Sequence, residues 1–446
     1  NFILAVHLLA LVVFLFWFFV GYDLFFTPES RFVLSPHNLA AMGVFGFSLL
    51  LSISVLVISC PCAVGLATPS AMMAGAGKGA EYGVLFKGAD AIEATARVRT
   101  VVFDKTGTIT KGEPAVTDVL PATVVDGDAL PCGRDGGGRD AGLSSEALLA
   151  YAAAVEQKSE HPLGEAIVAG ARERGLAIPE AGAFDSVPGL GVQGTVSGRE
   201  VLLGNARFMR DRAVDVAAVE AYAVRLAAEG KTPMFVAVDG IAAGIVGVAD
   251  VLKPSSREAI ARLHAMGLRS VMITGDNRRT AEAVARQVGI DEVLAEVLPE
   301  DKAERVKALQ ERGDFVAMVG DGVNDAPALA QAQVGIAIGS GTDVAKETGD
   351  VILIKSDLMD VVTAIEAGRA TMRKVKQNLF WAFFYNAVGI PVASGILYPL
   401  TRQIVGPELA AFFMAVSSVS VTLNTLLLRR FRPSRDVLER RADVVG

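Results

Sequence analysis

The chain has 446 residues, of which 52% are hydrophobic and 20% charged, and its net charge is -7. A mean hydropathy of +0.43 is too high for an ordinary soluble enzyme, whereas the charged fraction excludes a protein built only of membrane helices. The composition therefore predicts a few membrane spans plus at least one sizeable soluble region. The acidic balance, with no basic domain, argues against a nucleic-acid partner, and three cysteines are too few for a disulfide-built scaffold.

Apolar stretches near both ends predict an integral membrane protein. Each is close to the roughly 20 residues that a helix needs to cross hydrocarbon. The four predicted spans are 3–26, 39–60 (continuing through Cys60-Pro61-Cys62), 379–398 and 408–428. Lysines and arginines follow the first pair, precede the second and end it, so the positive-inside rule predicts that the soluble middle, 98–366, is cytoplasmic.

The second apolar stretch carries two cysteines around a proline, Cys60-Pro61-Cys62. Proline lacks an N–H donor and breaks a helix, and freed backbone groups at membrane depth are tolerated mainly where they line a cavity. Broken helices in membranes therefore often mark binding sites. The triplet predicts such a site.

The soluble middle begins with a short β-branched strand that ends in Asp104. Further strands are predicted at 269–276, 315–322, 334–339 and 350–354, separated by helices at 255–266, 278–288 and 300–312. Strands that alternate with helices predict an α/β fold with a doubly wound parallel sheet. In such sheets ligands gather at the carboxyl ends of strands, where Asp104, Thr274-Gly275-Asp276 and Asp321 all lie.

Residues 119–231 differ in sequence pattern from the segments on either side and are predicted to form an inserted α+β domain. The segment includes a Gly- and Asp-rich loop at 131–142, in which Cys132 is interpreted as an incidental surface thiol, and a helix at 145–157. Its Gly189-x-Gly191-x-x-Gly194 string formally matches a dinucleotide fingerprint. That fingerprint needs a following helix, whereas these glycines lead into a predicted β-hairpin, so a nicotinamide or flavin site is rejected. Glycines that let the backbone approach a flat ligand such as adenine remain reasonable.

The aspartates suggest phosphoryl chemistry. A carboxylate such as Asp104 can attack phosphorus and form an aspartyl-phosphate. Positioning and electrostatics supply most of the catalysis of such a step. Asp321 and Asp325 offer the oxygen ligands that Mg²⁺ prefers, Lys302 a fixed positive charge, and Thr274 and Asn324 hydroxyl and amide donors.

Long motifs in this region resemble those of P-type ATPases, whose phosphorylation domain is haloacid-dehalogenase-like. They are "DKTGTIT" from Asp104, "TGDN" from Thr274 and "GDGVNDAPALAQAQVGIAIGSGTDVA" from Gly320, while "SEHPLGEAI" and "CPC" are similar to the heavy-metal-transporting branch. The resemblance implies that Asp104 is phosphorylated, that Asp321 and Asp325 hold Mg²⁺, and that Thr106, Thr274 and Lys302 contact the phosphoryl group. Lys105, Gly275, Asp276 and Asn324 belong to the same catalytic motifs.

The resemblance also implies that ATP binds in the insert, at Glu156, His161, Gly189 and Gly191. From the residues alone, His161 could equally be a helix N-terminal residue packed on Pro162.

The transported metal is predicted from the membrane residues. Thiolates favour Cu(I) but also bind Zn²⁺. Tyr385, Asn386, Met414 and Ser418 join Cys60 and Cys62 in resembling the copper subgroup, whereas the zinc subgroup carries a Lys and an Asp in these spans. The expected function is thus ATP-driven export of Cu(I), with Ag(I) as a second cargo, across the plasma membrane, and a cytosolic copper chaperone is a candidate partner. The alternatives are a Zn/Cd exporter, a membrane-tethered haloacid-dehalogenase-like phosphatase and a metal-binding module with a degenerate ATPase. The intact motifs argue against the last of these.

The predicted organisation has six parts. They are a transmembrane pair with the Cys-Pro-Cys site (1–97), a split phosphorylation domain (98–118 and 232–366), a nucleotide-binding domain (119–231), a second transmembrane pair (367–432) and a cytoplasmic tail (433–446). The chain starts at Asn1 inside an apolar run and has no Thr-Gly-Glu string, so an N-terminally truncated pump is expected. The family's actuator domain would then lie upstream, and this chain alone is expected to bind ATP and Mg²⁺ without completing transport.

Overall fold

The computed structural model describes residues 2–27, 31–33, 42–122, 143–159, 161–187, 189–276, 278–321, 323–339 and 347–435. Two compact units emerge, one formed by 1–97 with 363–446 and the other by 98–362. Cys132 with its glycine-rich loop and the end of the predicted tail lie outside the described residues.

The first unit begins with four helices, whose buried apolar residues fall in three clusters. The helices are α1 (Phe2–Phe16, extended by a π-helical turn Trp17–Gly21 and by Tyr22–Phe25), α2 (Gly43–Ile58), α3 (Cys62–Glu81) and α4 (Ala89–Arg97). The break between α2 and α3 falls at Pro61, as the missing N–H donor predicts. The Cys-Pro-Cys triplet therefore lies at the break, and its last residue begins α3.

The second unit, 98–362, alternates strands and helices. Its strands are β1 (Thr100–Asp104), β2 (Thr110–Pro121), β3 (Ala181–Val187), β4 (Gly191–Val196), β5 (Arg199–Gly204), β6 (Thr232–Val238), β7 (Ile241–Leu252), β8 (Arg269–Ile273), β9 (Glu292–Leu294), β10 (Val316–Gly320), β11 (Val334–Ile338) and β12 (Val351–Leu353). Its helices are α5 (Ser145–Glu156), α6 (Pro162–Glu173), α7 (Ala206–Asp211), α8 (Ala217–Ala228), α9 (Ser256–Ala265), α10 (Arg278–Val288), α11 (Lys302–Glu311) and α12 (Ala326–Gln331).

Six strands of this unit pair in parallel, in the order β9-β8-β1-β10-β11-β12. Every residue of β1, β10 and β11 is buried, as expected for β-branched strands covered by helices on both faces. The predicted α/β fold with a parallel sheet is confirmed. The segment predicted as helix at 300–312 begins with a 3-10 turn, Pro299–Asp301, because proline suits a helix start but not its interior.

A second sheet of the same unit is antiparallel, with the order β2-β7-β6-β5-β4-β3. The predicted hairpin is present, since β4 and β5 pair from Gly191 opposite Gly204 to Val196 opposite Arg199. Helices α5 and α6 cover this sheet, and the Ser144 hydroxyl caps α5 by accepting a hydrogen bond from the Ala147 N–H at 3.2 Å. The strands β2 and β7 lie at one edge. Strand β2 follows the turn Lys105–Ile109 after Asp104, which we call the acceptor loop, and β7 leads into α9.

The first unit closes with α13 (Met359–Ala393), a short helix Tyr398–Thr401 and α14 (Pro407–Leu426). Short strands Arg31–Phe32 and Gln403–Ile404 pair in parallel, and another strand runs over Val84–Phe86. Among the described residues, three helical stretches are long and apolar enough to cross a membrane: Leu4–Phe25, Gly43–Glu81 and Pro407–Arg430. The predicted span 379–398 is not among them, because α13 ends at Ala393 and its earlier turns are polar. The chain is thus an integral membrane protein.

Candidate functional site

The register of the parallel sheet brings three motif residues to one edge. Asp104 ends β1 and is paired with Ile273 of β8, so Thr274 follows directly beside it. On the other side Phe103 is paired with Val319 of β10, whose end leads into Asp321. The sequence-predicted grouping of Asp104, Thr274 and Asp321 therefore forms.

Lys302 joins two of the aspartates. Its Nζ donates hydrogen bonds to Oδ1 of Asp104 at 2.6 Å and to Oδ1 of Asp325 at 2.7 Å. All three side chains are buried. Burial lowers the pKa of Lys302, but Asp104 and Asp325 outweigh burial and raise it, so the lysine is a fixed positive charge.

The three carboxylates form a cation-type cluster, since oxygens of Asp104, Asp321 and Asp325 lie within 4.8 Å of one another. Burial, together with the neighbouring Asp325, raises the pKa of Asp104 to about 7. The same two causes raise the pKa of Asp321. Closely packed carboxylates that outnumber their lysine partner are short of positive charge, and their oxygens are the donors that Mg²⁺ prefers. The donor set fits Mg²⁺.

The loop after Asp104 turns tightly back over the cluster. Lys105 Nζ donates to Oδ2 of Asp276 at 2.6 Å, and the Asp276 N–H donates to the Thr274 hydroxyl at 3.1 Å. Gly107 adopts φ +74°, and a Cβ there would lie 1.7 Å from Oδ2 of Asp321. Only glycine fits between the turn and that carboxylate.

Four residues predicted to bind nucleotide line one cavity of about 270 Å³ in the antiparallel region: Glu156, His161, Gly189 and Gly191. Glu156 is 4% exposed, and its Oε2 has no hydrogen-bond partner among the described residues. Burial raises the pKa of Glu156, against the lowering effects of Ser159 and His161. The Nδ1 of His161 accepts a hydrogen bond from the Leu163 N–H at 3.2 Å, so this residue caps α6 and also lines the cavity. His161 is thus the helix N-terminal residue that the sequence allowed, and its position at the cavity leaves the nucleotide-binding role as a prediction.

A cleft of about 350 Å³ connects this region with the acceptor loop. Lys105, Thr106 and Asp276 line it, as do Leu163 and Thr232, which also belong to the wall of the first cavity. An elongated ligand could therefore occupy both spaces. Gly275 and Asn324 are exposed at the same edge of the sheet.

A small cavity of about 10 Å³ lies among the membrane helices. Cys60, Tyr385, Asn386 and Met414 line it together with Ser417. Cys60 and Cys62 have Cα atoms 5.6 Å apart and are joined as a disulfide. Cys62 is exposed and is not among the lining residues, and the Ser418 hydroxyl donates to the Met414 carbonyl at 3.3 Å instead of facing the cavity.

Sequence reasoning named Ser417 beside Ser418 but chose Ser418 as the site residue, and it missed Lys253. The Ser417 hydroxyl lies at this cavity, buried and without a hydrogen-bond partner among the described residues. Its three-residue spacing from Met414 on a helix was the available signal. Lys253 donates a hydrogen bond to the acceptor loop. It belongs to none of the motifs above, so the sequence did not indicate this contact.

A family model described as haloacid dehalogenase-like hydrolase matches residues 98–333. The chain is 49% identical over 394 residues to a copper-exporting P-type ATPase of Bacillus subtilis (strain 168), covering 88% of this chain and 46% of that protein. It is 46% identical over 433 residues to a probable copper-exporting P-type ATPase of Archaeoglobus fulgidus, covering 97% of this chain and 48% of that protein. The chain thus spans about half the length of these relatives.

Among solved structures, a crystal structure of a zinc-transporting PIB-type ATPase superposes with a TM-score of 0.77 at 35% identity. That match covers 96% of this chain and 62% of the other. A second crystal structure of a zinc-transporting PIB-type ATPase, in a different state, gives a TM-score of 0.70 at the same identity, and covers 95% of this chain and 62% of the other.

Proposed function

The chain belongs to the haloacid dehalogenase-like hydrolases and, within them, to the P-type ATPases, and from this premise we propose that it serves the ATP-driven transport of Cu(I) across a membrane. In this proposal the γ-phosphoryl group of ATP passes to Asp104. The observation that carries it is the position of Asp104, which ends the central strand within 2.6 Å of Lys302 and beside Asp321 and Asp325.

The proposed transfer step follows from these contacts. One oxygen of the Asp104 carboxylate is held by Lys302, and the other attacks the γ-phosphorus. A bond forms from that oxygen to phosphorus, while the bond to the β–γ bridging oxygen breaks and ADP leaves. Mg²⁺ held by Asp321 and Asp325 would neutralise phosphate charge, and Lys302 supplies a further positive charge without reorganisation. In this proposal the hydroxyl groups of Thr106 and Thr274 contact the phosphoryl oxygens.

The two connected cavities support ATP as the phosphoryl donor. The base would lie in the cavity of Glu156, His161, Gly189 and Gly191, and the triphosphate would extend along Leu163 and Thr232 into the cleft at Lys105. A small phosphate ester would leave the first cavity empty. This argues for an ATPase over the alternative of a membrane-tethered phosphatase.

The membrane cavity supports Cu(I) as the cargo. Its described lining offers a cysteine sulfur, a thioether and neutral oxygens, with no carboxylate to balance a divalent charge. Soft sulfur donors favour Cu(I), so we infer that the reduced Cys60/Cys62 pair is the binding form, with Met414 beside it. Relatives named as copper transporters also match more closely in sequence than the zinc-transporting structures do. The proposal includes a plasma-membrane location, a cytoplasmic position for 98–362 and delivery of Cu(I) by a cytosolic chaperone.

The test is metal-stimulated phosphorylation from ATP by the full chain in lipid, across Cu(I), Ag(I), Zn²⁺ and Cd²⁺ under reducing conditions. We expect stimulation by Cu(I) and Ag(I), and its loss in the Cys60→Ser, Cys62→Ser double variant with ATP affinity unchanged. Cys132→Ser is the matched control and should behave as wild type. Selective stimulation by Zn²⁺ or Cd²⁺ would favour the alternative pump, and hydrolysis of simple phosphate esters without ATP dependence would favour the phosphatase.

A further inference from the structure

Lys253 is a buried lysine directly behind the acceptor loop. It follows the last residue of β7 and is 8% exposed. Its Nζ donates hydrogen bonds to the carbonyl oxygen of Gly107 and to the Ser356 hydroxyl, the latter at 2.8 Å. This buried lysine donates to the backbone of the loop that follows Asp104. It is therefore a candidate for holding that loop in one conformation.

Two further carbonyl groups of the same loop also accept hydrogen bonds. The Ile109 carbonyl accepts from the Lys253 N–H at 3.0 Å and from the Ser256 hydroxyl at 2.7 Å, and the Lys105 carbonyl accepts from the Thr110 hydroxyl at 2.9 Å. The Gly107 carbonyl, in contrast, accepts its hydrogen bond from the Lys253 ammonium. Because a trans peptide is planar, fixing this carbonyl also fixes the direction of the Thr108 N–H on its opposite side.

The held peptide lies against the cation-type cluster. Gly107 is so close to Asp321 that even a methyl group would not fit between them. Next to it the Thr108 hydroxyl is buried and has no hydrogen-bond partner among the described residues. The charged groups that face Lys253 are Asp321, Asp357 and Asp250, which counter the effect of burial on its pKa. A shift of the Gly107 peptide would therefore reach both Asp321 and the Thr108 hydroxyl.

We propose that Lys253 is a positioning residue for phosphoryl transfer, which holds the Gly107–Thr108 peptide so that the acceptor loop and Asp321 keep the geometry that receives a phosphoryl group. The inference rests on the proposed function, because it assigns Lys253 to the same transfer step. Lys253 acts through the loop and not on the nucleotide.

The experiment compares Lys253→Met, Lys253→Arg and Lys231→Met in the full chain in lipid. Lys231 is the matched control, since it pairs with Asp118 and Glu229 at 2.7 Å and does not contact the acceptor loop. Three quantities are measured: the dissociation constant for ATP, the phosphorylation rates from ATP and from acetyl phosphate, and the beryllium fluoride concentration that half-maximally raises the melting temperature with Mg²⁺. Acetyl phosphate and beryllium fluoride reach Asp104 without the nucleotide cavity.

For Lys253→Met we expect ATP affinity within about twofold of wild type, because the nucleotide cavity is intact. Both phosphorylation rates should fall about 10²-fold, the usual consequence of a misplaced reacting group. The beryllium fluoride requirement should rise about tenfold. Lys253→Arg should recover most of each loss, and Lys231→Met should match wild type. If Lys253→Met fails to fold, Ser356→Ala, which removes the second anchor of the ammonium, should show the same pattern more weakly.

Wild-type phosphorylation rates and beryllium fluoride response in Lys253→Met would overturn the proposal. A lowered melting temperature with an unchanged beryllium fluoride requirement would also overturn it, since that is a purely structural role. If the wild-type chain accepts no phosphoryl group from ATP, the proposed function fails. The beryllium fluoride comparison then still decides whether Lys253 positions the loop.

Discussion

The ammonium of Lys302 lies 2.6 Å from Oδ1 of Asp104, at the end of the central strand of the parallel sheet. The same ammonium lies 2.7 Å from Oδ1 of Asp325, so it bridges the proposed nucleophile and a second carboxylate. Lys302 starts helix α11 and Asp104 ends β1, so two rigid elements set this contact. Their rigidity is what a positioned phosphoryl acceptor needs.

Replacing Lys302 with methionine should abolish phosphorylation of Asp104. The change leaves Asp104 and Asp325 buried without their common counter-charge, and breaking such a buried pair typically costs about 3–5 kcal/mol of folding free energy. Chemical denaturation of the wild type and the variant, both without divalent cations, measures the loss of stability. An unaltered phosphorylation rate in Lys302→Met would contradict the role given to this lysine.

Without divalent cations, stability should depend on pH through Asp104. Its pKa is raised from the ordinary value of 3.8 to about 7, mainly by burial and then by Asp325. Between these two values the folded state holds a proton that the unfolded state has lost, so stability should fall as pH rises through this window. Above the folded-state pKa the dependence should level off.

Melting temperatures measured between about pH 4 and pH 8 in a chelator test this dependence, with Asp104→Asn as the comparison. The variant lacks the titrating group, so its curve should be flatter than that of the wild type. Parallel curves would show that Asp104 is not the group responsible.

Gly107→Ala should damage the catalytic site through steric contact with Asp321. The new Cβ would lie 1.7 Å from Oδ2 of that carboxylate. Gly198→Ala is the matched control, because Gly198 has φ +79° but no atom within 4 Å of its added Cβ. Both variants bear a backbone cost of roughly 1–2 kcal/mol. Only Gly107→Ala should lose phosphorylation, and equal losses in the two variants would contradict this explanation.

Glu156→Gln should weaken ATP binding about tenfold, as expected when a charged hydrogen-bond acceptor becomes neutral. The buried Oε2 of Glu156 has no partner among the described residues and lies at the nucleotide cavity. Removing its charge should also raise the melting temperature without nucleotide, because burial disfavours the ionised form. Calorimetric titration measures the affinity, with Glu165→Gln on the exposed side of α6 as the control. Unchanged affinity in Glu156→Gln would remove this residue from the proposed ATP site.

Much of the catalytic unit could be predicted from the sequence. β-branched runs that end in aspartate predicted strands β1 and β10, and the parallel-sheet rule then placed Asp104 beside Thr274 and Asp321. The hairpin predicted after the glycine string at Gly189 is also present. These features are local or follow from general topology.

Features that depend on long-range packing were not predictable. Lys253 reaches Gly107 across 146 positions of sequence, and no spacing rule connects them. Ser417 and Ser418 are adjacent, and only the rotation of α14 decides that Ser417 lines the membrane cavity. The stretch 379–398 was predicted as one span because it is apolar throughout. The helix α13 nevertheless ends within it, at Ala393, and Gly395 beyond that end adopts φ +83°.

The most direct test of the central claim is to expose the chain to ATP labelled at the γ-phosphate, quench with acid and locate the label by mass spectrometry. We predict an acid-stable, hydroxylamine-sensitive adduct on Asp104, which requires Mg²⁺ and is absent from Asp104→Asn although that variant still binds ATP. A labelled adduct that persists in Asp104→Asn, or wild-type protein that binds ATP with Mg²⁺ and Cu(I) but never acquires the label, would contradict the assignment of Asp104 as the phosphoryl acceptor.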